Sequence, residues 1–362
     1  MKTVTLALLF TAGAFLLATN VVAQTWQPVG PSPRLSHSAV LDTTSNSAIV
    51  FGGGQIPENG GRINLNDVWR LNANLTWTAL HPTGTAPQAR LGHTAVYDSV
   101  NNRMTVFGGG EGSTSPCAND VWVLTNANGK GVVPAWTQLS PSGSAPAPRA
   151  QHGAAFDPAS NTMIVYGGQN CFSTIFGDVW VLSNANGLGG TPTWTQLSPV
   201  GGGPGAREVQ GGVAYDSANN RFIVFGGSTA NNDVWVLSSA NGQGGTPTWT
   251  QLSPAGTLPP ARAENSTVYD PKSNRLTIYG GADAANNILQ DTWVLTNANG
   301  LGGTPTWTQS VSLPLLPAGR FAHTAVYNSK TNKMTIYGGL ASISGPSVIA
   351  NDVWVLSHAN GQ

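Results

Sequence analysis

The chain has 362 residues, of which only 9% are charged, 45 are glycine and four are methionine. A composition so rich in turn formers and so poor in helix formers excludes a mainly helical fold and points to an all-β one. Sixteen basic residues balance sixteen acidic ones, which leaves no basic surface of the kind that nucleic acid or anionic lipid requires.

Residues 1–23 read as a secretory leader. Lys2 supplies the charged start, Val4 to Ala18 the apolar run, and Val21-Val22-Ala23 the small residues for cleavage before Gln24. No second apolar stretch of spanning length follows. The expected mature protein is residues 24–362, monomeric, and secreted or periplasmic.

Next comes Thr25-Trp26-Gln27-Pro28-Val29, and the same phrase returns at Trp77, Trp136, Trp194, Trp249 and Trp307. A Pro/Gly/Ser loop follows each copy and ends at an arginine: Arg34, Arg90, Arg149, Arg207, Arg262 and Arg320. After the arginine comes a short strand such as His93 to Tyr97, then an Asp/Asn turn. An apolar strand follows and closes on a glycine pair: Gly52-Gly53, Gly108-Gly109, Gly167-Gly168, Gly226-Gly227, Gly280-Gly281 and Gly338-Gly339. A variable loop then leads to an Asp-Val-Trp strand, whose aspartates are Asp67, Asp120, Asp178, Asp233, Asp291 and Asp352, spaced 53, 58, 55, 58 and 61 residues apart. A turn-prone Asn-Ala-Asn-Gly link, or a close variant of it, follows in most units.

A period near fifty marks a stacked or circular array. Each unit holds four short strands, here a, b, c and d. Their link lengths favour antiparallel neighbours, and b and c are apolar enough to be buried on both faces. Repeated four-stranded antiparallel sheets describe propeller blades. The chain starts on a d strand and stops after a c strand, so pairing the two closes a ring of six and removes an edge. The blades run over 34–80, 90–139, 149–197, 207–252, 262–310 and 320–357, the last completed by 24–29.

The arginine-led strand, the glycine pair and the two aromatic strands together resemble kelch repeats, over the whole mature chain. Close tryptophans such as Trp69 and Trp77 are usual there. The 14-residue spacing of Trp180 and Trp194 is more similar to bacterial kelch and galactose-oxidase-like propellers. The resemblance implies a six-bladed kelch β-propeller.

In this topology the b–c and d–a loops share one face, and they are the long, variable ones, where binding to a protein or glycan is expected. Cys117 and Cys171 fall in b–c loops of adjacent blades 2 and 3, and a disulfide between them is expected. The six arginines begin strand a near the axis on the same face. They could hold an anionic ligand, or pair with the six aspartates in a structural role. Isolated aspartates argue against calcium. Three residues after each arginine stand His37, His93, His152, Gln210, Asn265 and His323, a mixture that shares hydrogen bonding and not metal affinity. No Tyr-His dipeptide supports galactose-oxidase-like copper chemistry, and no cofactor or metal is expected. Blades 4 and 5 replace the histidine and gain carboxylates, Glu208 and Glu264, beside Arg207 and Arg262. Such a pocket could perform acid–base work on a sugar, as a resemblance to sialic-acid mutarotases implies. A recognition or scaffold module is the leading expectation, and a sugar-active enzyme the alternative.

Overall fold

The computed structural model describes residues 30–57, 60–110, 116–228, 231–310, 316–342 and 347–362. The leader expected at 1–23 and the closing strand expected at 24–29 lie outside the described residues. Within them, every regular element is a β-strand.

Blade 1 holds Ser38–Asp42 (β1), Ser47–Gln55 (β2), Ile63–Leu71 (β3) and Trp77–Leu80 (β4). Blade 2 holds Thr94–Asp98 (β5), Arg103–Gly110 (β6), Cys117–Thr125 (β7) and Ala135–Leu139 (β8). Blade 3 holds Gly153–Asp157 (β9), Thr162–Tyr166 (β10), Val179–Ser183 (β11) and Thr193–Leu197 (β12). Blade 4 holds Val213–Asp216 (β13), Arg221–Phe225 (β14), Val234–Ser238 (β15) and Thr248–Gln251 (β16). Blade 5 holds Ser266–Asp270 (β17), Arg275–Tyr279 (β18), Thr292–Thr296 (β19) and Thr306–Gln309 (β20). In the last blade a short upper ladder of Arg320–Phe321 (β21), Leu340–Ala341 (β24) and Val348–Ile349 (β25) tops Thr324–Asn328 (β22), Lys333–Tyr337 (β23) and Val353–Ser357 (β26). Each sheet is antiparallel in chain order. The second strands carry the densest core: Met163, Ile164, Val165 and Tyr166 are all fully buried.

The innermost strands touch in cyclic order, β1 to β5, β9, β13, β17, β22 and back to β1. Backbone hydrogen bonds follow the same circuit. The second glycine of each pair donates to the arginine carbonyl of the next blade: Gly53 to Arg90, Gly109 to Arg149, Gly168 to Arg207, Gly227 to Arg262, Gly281 to Arg320, and Gly339 back to Arg34, at 2.8–3.1 Å. Six blades therefore form a closed ring at the inner strands.

Outer tryptophans join blades at larger radius. Trp136 lies on Phe51, Trp194 on Phe107, Trp249 on Tyr166, Trp307 on Phe225 and Trp77 on Tyr337, with ring centroids 4.8–5.4 Å apart. Each pair links a blade to the one before it. A buried tryptophan hides roughly 150–250 Å², an upper bound of about 4–6 kcal/mol of burial.

On the opposite face the Asn-Ala-Asn-Gly link is more than a long hairpin. Its alanine is buried, as Ala127, Ala185, Ala240, Ala298 and Ala359. The asparagine after that alanine reaches back to the a–b turn aspartate of the preceding blade: Asn128 to Asp42, Asn186 to Asp98, Asn241 to Asp157, Asn299 to Asp216 and Asn360 to Asp270, at 2.6–2.9 Å. Blade 1 has a shorter link, and the last blade carries Asn328 in place of the aspartate, bonded to Asn46. We expect Asn186→Ala to leave Asp98 short of a buried donor and to cost about 1–3 kcal/mol, read as a lower urea midpoint at unchanged slope.

Candidate functional site at the axial mouth

Each axial arginine is fixed by its own blade. Its Nη atoms bind the Asp-Val-Trp aspartate through both oxygens at 2.6–3.2 Å. Nη1 also donates to the carbonyl of the first glycine of the pair at 2.9–3.1 Å. The same aspartate accepts the indole N–H of the tryptophan two residues on, at 2.6–2.7 Å. Burial by itself would raise the Asp120 carboxyl, but the Arg90 hydrogen bonds and charge, with the Trp122 N–H, outweigh it and hold the group below the usual carboxylate range. The arginine side chains are 0–6% exposed. The guanidinium groups of Arg34, Arg90, Arg149, Arg207, Arg262 and Arg320, considered for ligand binding, thus face the aspartate and carbonyl oxygens of their own blades. Arg207 and Arg262, considered beside Glu208 and Glu264, are engaged in the same way, with Arg207 Nε left without a partner among the described residues.

The four histidines belong to the seams between blades. Nε2 of His37, His93, His152 and His323 shares a hydrogen bond with Thr324, Ser38, Thr94 and Ser266 of the preceding blade, at 2.7–2.9 Å. Each ring stands edge-on to that blade's second-strand aromatic, at 5.0–5.5 Å. Among the described residues no group of three or more His, Cys, Asp or Glu is placed to hold a metal ion. Burial first, then the neighbouring arginine, pushes all four imidazoles down, His93 and His323 to about 3.

Above the arginines, a second circuit lines the axis two residues further on. Gly92 donates to Ser36, Gln151 to Gly92, Val209 to Gln151, Ser36 to Ala322 and Ala322 to Glu264, all through backbone at 2.7–3.0 Å. The sixth link, between Val209 and Glu264, is replaced by Gly212 donating to Val209. The cause is one extra residue in blade 4. Arginine and first glycine lie 19 positions apart there and 18 in every other blade. The insertion gives Gly211 a φ of +77°, and a Cβ there would lie 2.1 Å from the Asn265 carbonyl oxygen. Sequence reasoning missed this feature, though the spacing displays it.

Glu208 and Glu264 flank the break. Gln151 reaches across from blade 3 and donates to Glu264 Oε1 at 2.9 Å, and its own amide oxygen accepts from Gln169. Glu264 keeps some solvent contact but is enclosed by protein on most sides. That burial, with the Glu208 charge, raises its carboxyl to about 7 against the opposing Gln151 hydrogen bond. Burial also raises Glu208. The axial mouth thus holds one carboxyl poised between its two protonation states near neutral pH, with amide donors and acceptors beside it.

The outer part of the same face is built differently. Cys117 and Cys171 are disulfide-bonded, joining the b–c loops of blades 2 and 3. Asn170 Oδ1 accepts from the backbone N–H groups of Phe172, Ser173 and Thr174 at 3.0–3.1 Å. The Phe176 ring lies under Arg149, 4.3 Å from its Cζ. The loop so fixed holds Phe172 outward, 68% exposed. Ile56 on blade 1 and Val348 on the last blade are exposed apolar residues of the same loop set.

Comparison with known proteins fits this geometry. The KLHDC2/KLHL20/DRC7 Kelch-repeats domain matches residues 15–227, 100–295 and 212–362. The chain belongs to the kelch-repeat family. It is 25% identical over 345 residues to an F-box/kelch-repeat protein of Arabidopsis thaliana, covering 86% of this chain and 66% of that protein. It is 26% identical over 313 residues to human Host cell factor 1, covering 79% of this chain and 14% of that protein. The chain therefore corresponds to less than two-thirds of either relative. The solved structure of YjhT aligns with a TM-score of 0.60 at 17% identity, over 91% of this chain and 99% of that one, and shares the fold.

The histidine shifts set an acid limit. A buried imidazole that stays neutral down to about pH 3 contributes stability that is fully present above the unfolded value near 6.5 and is lost as pH falls from there toward 3. Each histidine adds at most about 1.4 kcal/mol per pH unit to the slope. Denaturation midpoints should fall steadily from pH 6.5 to 4. His93→Gln, the residue type of blade 4, should flatten that fall, measured as the difference in slope between the two proteins.

Proposed function

We propose that this kelch propeller is an exported recognition module that binds a protein or a glycan on the face formed by the b–c and d–a loops. The observation that carries the reading is the stapled loop around Phe172. An exposed aromatic ring held by a disulfide and an asparagine cap loses little conformational freedom on binding, which is what a central anchor of an interface needs. The buried arginine–aspartate circuit supports it from within the blades. Export is supported by the apolar leader sequence and by a disulfide, which persists in oxidising compartments. No helix among the described residues is long and apolar enough to cross a membrane. Kelch relatives such as the F-box/kelch-repeat protein and Host cell factor 1 make a protein partner the first class to test. Screening the purified protein against arrays of secreted proteins and glycans should return a ligand whose Kd weakens about 30-fold with Phe172→Ala, the loss expected of an anchor residue. Binding indifferent to Phe172, or no binding on either array, would sink the reading.

A second reading rests on Glu264. A carboxyl that titrates at about 7, beside Glu208 and two glutamine amides, could move a proton to or from a sugar hydroxyl. If it acts as the base, turnover should rise through pH 7, because only the deprotonated form accepts the proton. Glu264→Gln should then lower anomer interconversion of a reducing sugar by about 10²–10⁴-fold, followed by exchange-resolved proton NMR. Unchanged rates in Glu264→Gln would remove this site from consideration.

A further inference from the structure

The links that lock the blades together carry a chemical liability. In five of them the locking asparagine is followed directly by glycine: Asn128-Gly129, Asn186-Gly187, Asn241-Gly242, Asn299-Gly300 and Asn360-Gly361. Asparagine is among the thermolabile residues, and a glycine after it leaves the next backbone nitrogen unhindered. In a free chain that nitrogen attacks the asparagine Cγ. A bond forms between N and Cγ, the bond from Cγ to Nδ2 breaks, and Nδ2 leaves as ammonia with the proton of the glycine N–H. Water then opens the cyclic imide at either carbonyl, which gives aspartate or isoaspartate.

In the folded protein each atom that this step requires is engaged elsewhere. The glycine N–H groups donate to the carbonyls of Asn126, Asn184, Ser239, Asn297 and His358 at 2.8–3.0 Å. The asparagine Oδ1 accepts from the backbone N–H two residues on at 2.8–3.0 Å. It also accepts from Nδ2 of Asn102, Asn161, Asn220, Asn274 or Asn332 at 2.6–2.9 Å. The leaving nitrogen donates to the aspartate of the preceding blade, as Asn186 does to Asp98 at 2.6 Å. Attack needs the glycine nitrogen free and the amide turned toward it, and these hydrogen bonds oppose both. Asn186, Asn241, Asn299 and Asn360 are only 3–9% exposed.

The partner carboxylate makes the step one-way. Burial by itself would raise Asp98, but hydrogen bonds from Asn101 and Asn186, with those of the turn backbone, hold it below the usual carboxylate range. It is therefore ionised at neutral pH. Deamidation of Asn186 sets a second carboxylate, with no N–H to give, against the first. The isoaspartate product also lengthens the main chain of a tight turn by a methylene.

We propose that these five asparagines are modification sites that the fold keeps shut: spontaneous deamidation proceeds only through opening of a lock, and a seam that deamidates while open does not close again. The proposal is independent of the recognition and acid–base readings. The last blade shows what a lock of reversed polarity needs. Asn328 stands there in the aspartate position, accepts the Lys330 N–H on Oδ1 and donates Nδ2 across the seam to Asn46 Oδ1. Asp98→Asn can serve Asn186→Asp in the same way.

Peptide mapping of the full-length protein, with isoaspartate quantified by mass spectrometry, tests the closed lock. At mildly alkaline pH the native protein should deamidate at these pairs on the order of 100-fold more slowly than the same protein in urea. Equal rates in the two states would overturn the proposal. Asn186→Asp tests the one-way step and should shift the unfolding equilibrium about tenfold or more toward the unfolded state. Adding Asp98→Asn should recover a large part of that loss. An Asn186→Asp protein as stable as the unaltered one, or a double variant with no recovery, would also overturn the proposal. Were Asn186→Asp not to fold, the same pair of measurements on Asn128→Asp and Asp42→Asn decides the matter, since Asn128 is less deeply buried.

Discussion

The structure depends on placing six arginines out of water. A buried guanidinium is tolerable only if its charge is matched and its donors are met, because an unpaired buried charge costs several kcal/mol. The sequence answers with an aspartate on the third strand, which takes both Nη atoms, and with the carbonyl of a glycine on the second. Three strands of one blade are thereby tied at one end by a single side chain. The main chain of the same arginine accepts the glycine N–H of the preceding blade, so the device that fixes a blade also fixes its neighbour. The glycines are required by this arrangement. At Gly108 the φ is +65°, and a Cβ would lie 2.6 Å from the Arg149 carbonyl oxygen.

This logic explains which parts of the molecule can be read from the chain. Asp120, Trp122, Arg90 and the glycine pair are required in every blade, so they recur at a fixed order and announce both the strands and the arginine–aspartate pairing. Cys117 and Cys171 are legible because the repeat places their loops on adjacent blades. The asparagine locks are harder to read. Asn186 contacts Asp98, 88 positions earlier, and nothing local distinguishes it from an ordinary turn residue. The axial circuit is harder still, since it is made of backbone atoms of residues as different as Ser36, Gly92 and Gln151. Only the single inserted residue of blade 4 betrays it, as a spacing of 19 among spacings of 18.

Two kinds of polar group result. Those repeated around the ring are engaged by the ring: arginine with aspartate, aspartate with tryptophan, and histidine through Nε2 with a neighbouring hydroxyl. Their burial makes them structural, and the same burial forces the histidines to remain neutral. The groups left over occur where the repeat is broken. Phe172 is presented by a loop whose counterpart in blade 5, capped by Asp283, carries Ala285 at the same place and no cysteine, and Glu264 stands beside the missing backbone link.

The coincidence of Glu264 with that break has a physical basis. In a fully regular circuit each axial residue donates its N–H to its neighbour and presents little besides a small side chain, as Ser36, Gly92 and Ala322 do. The extra residue of blade 4 turns Val209 toward Gly212, so the backbone link from Glu264 to Val209 is not made. A large acidic side chain fits there, but it is drawn into protein on most sides and beside a second carboxylate. Both effects favour the proton, and one glutamine hydrogen bond does not reverse them. A ring that pairs its six buried arginines with aspartates thus leaves at its centre a carboxyl that burial raises to about 7.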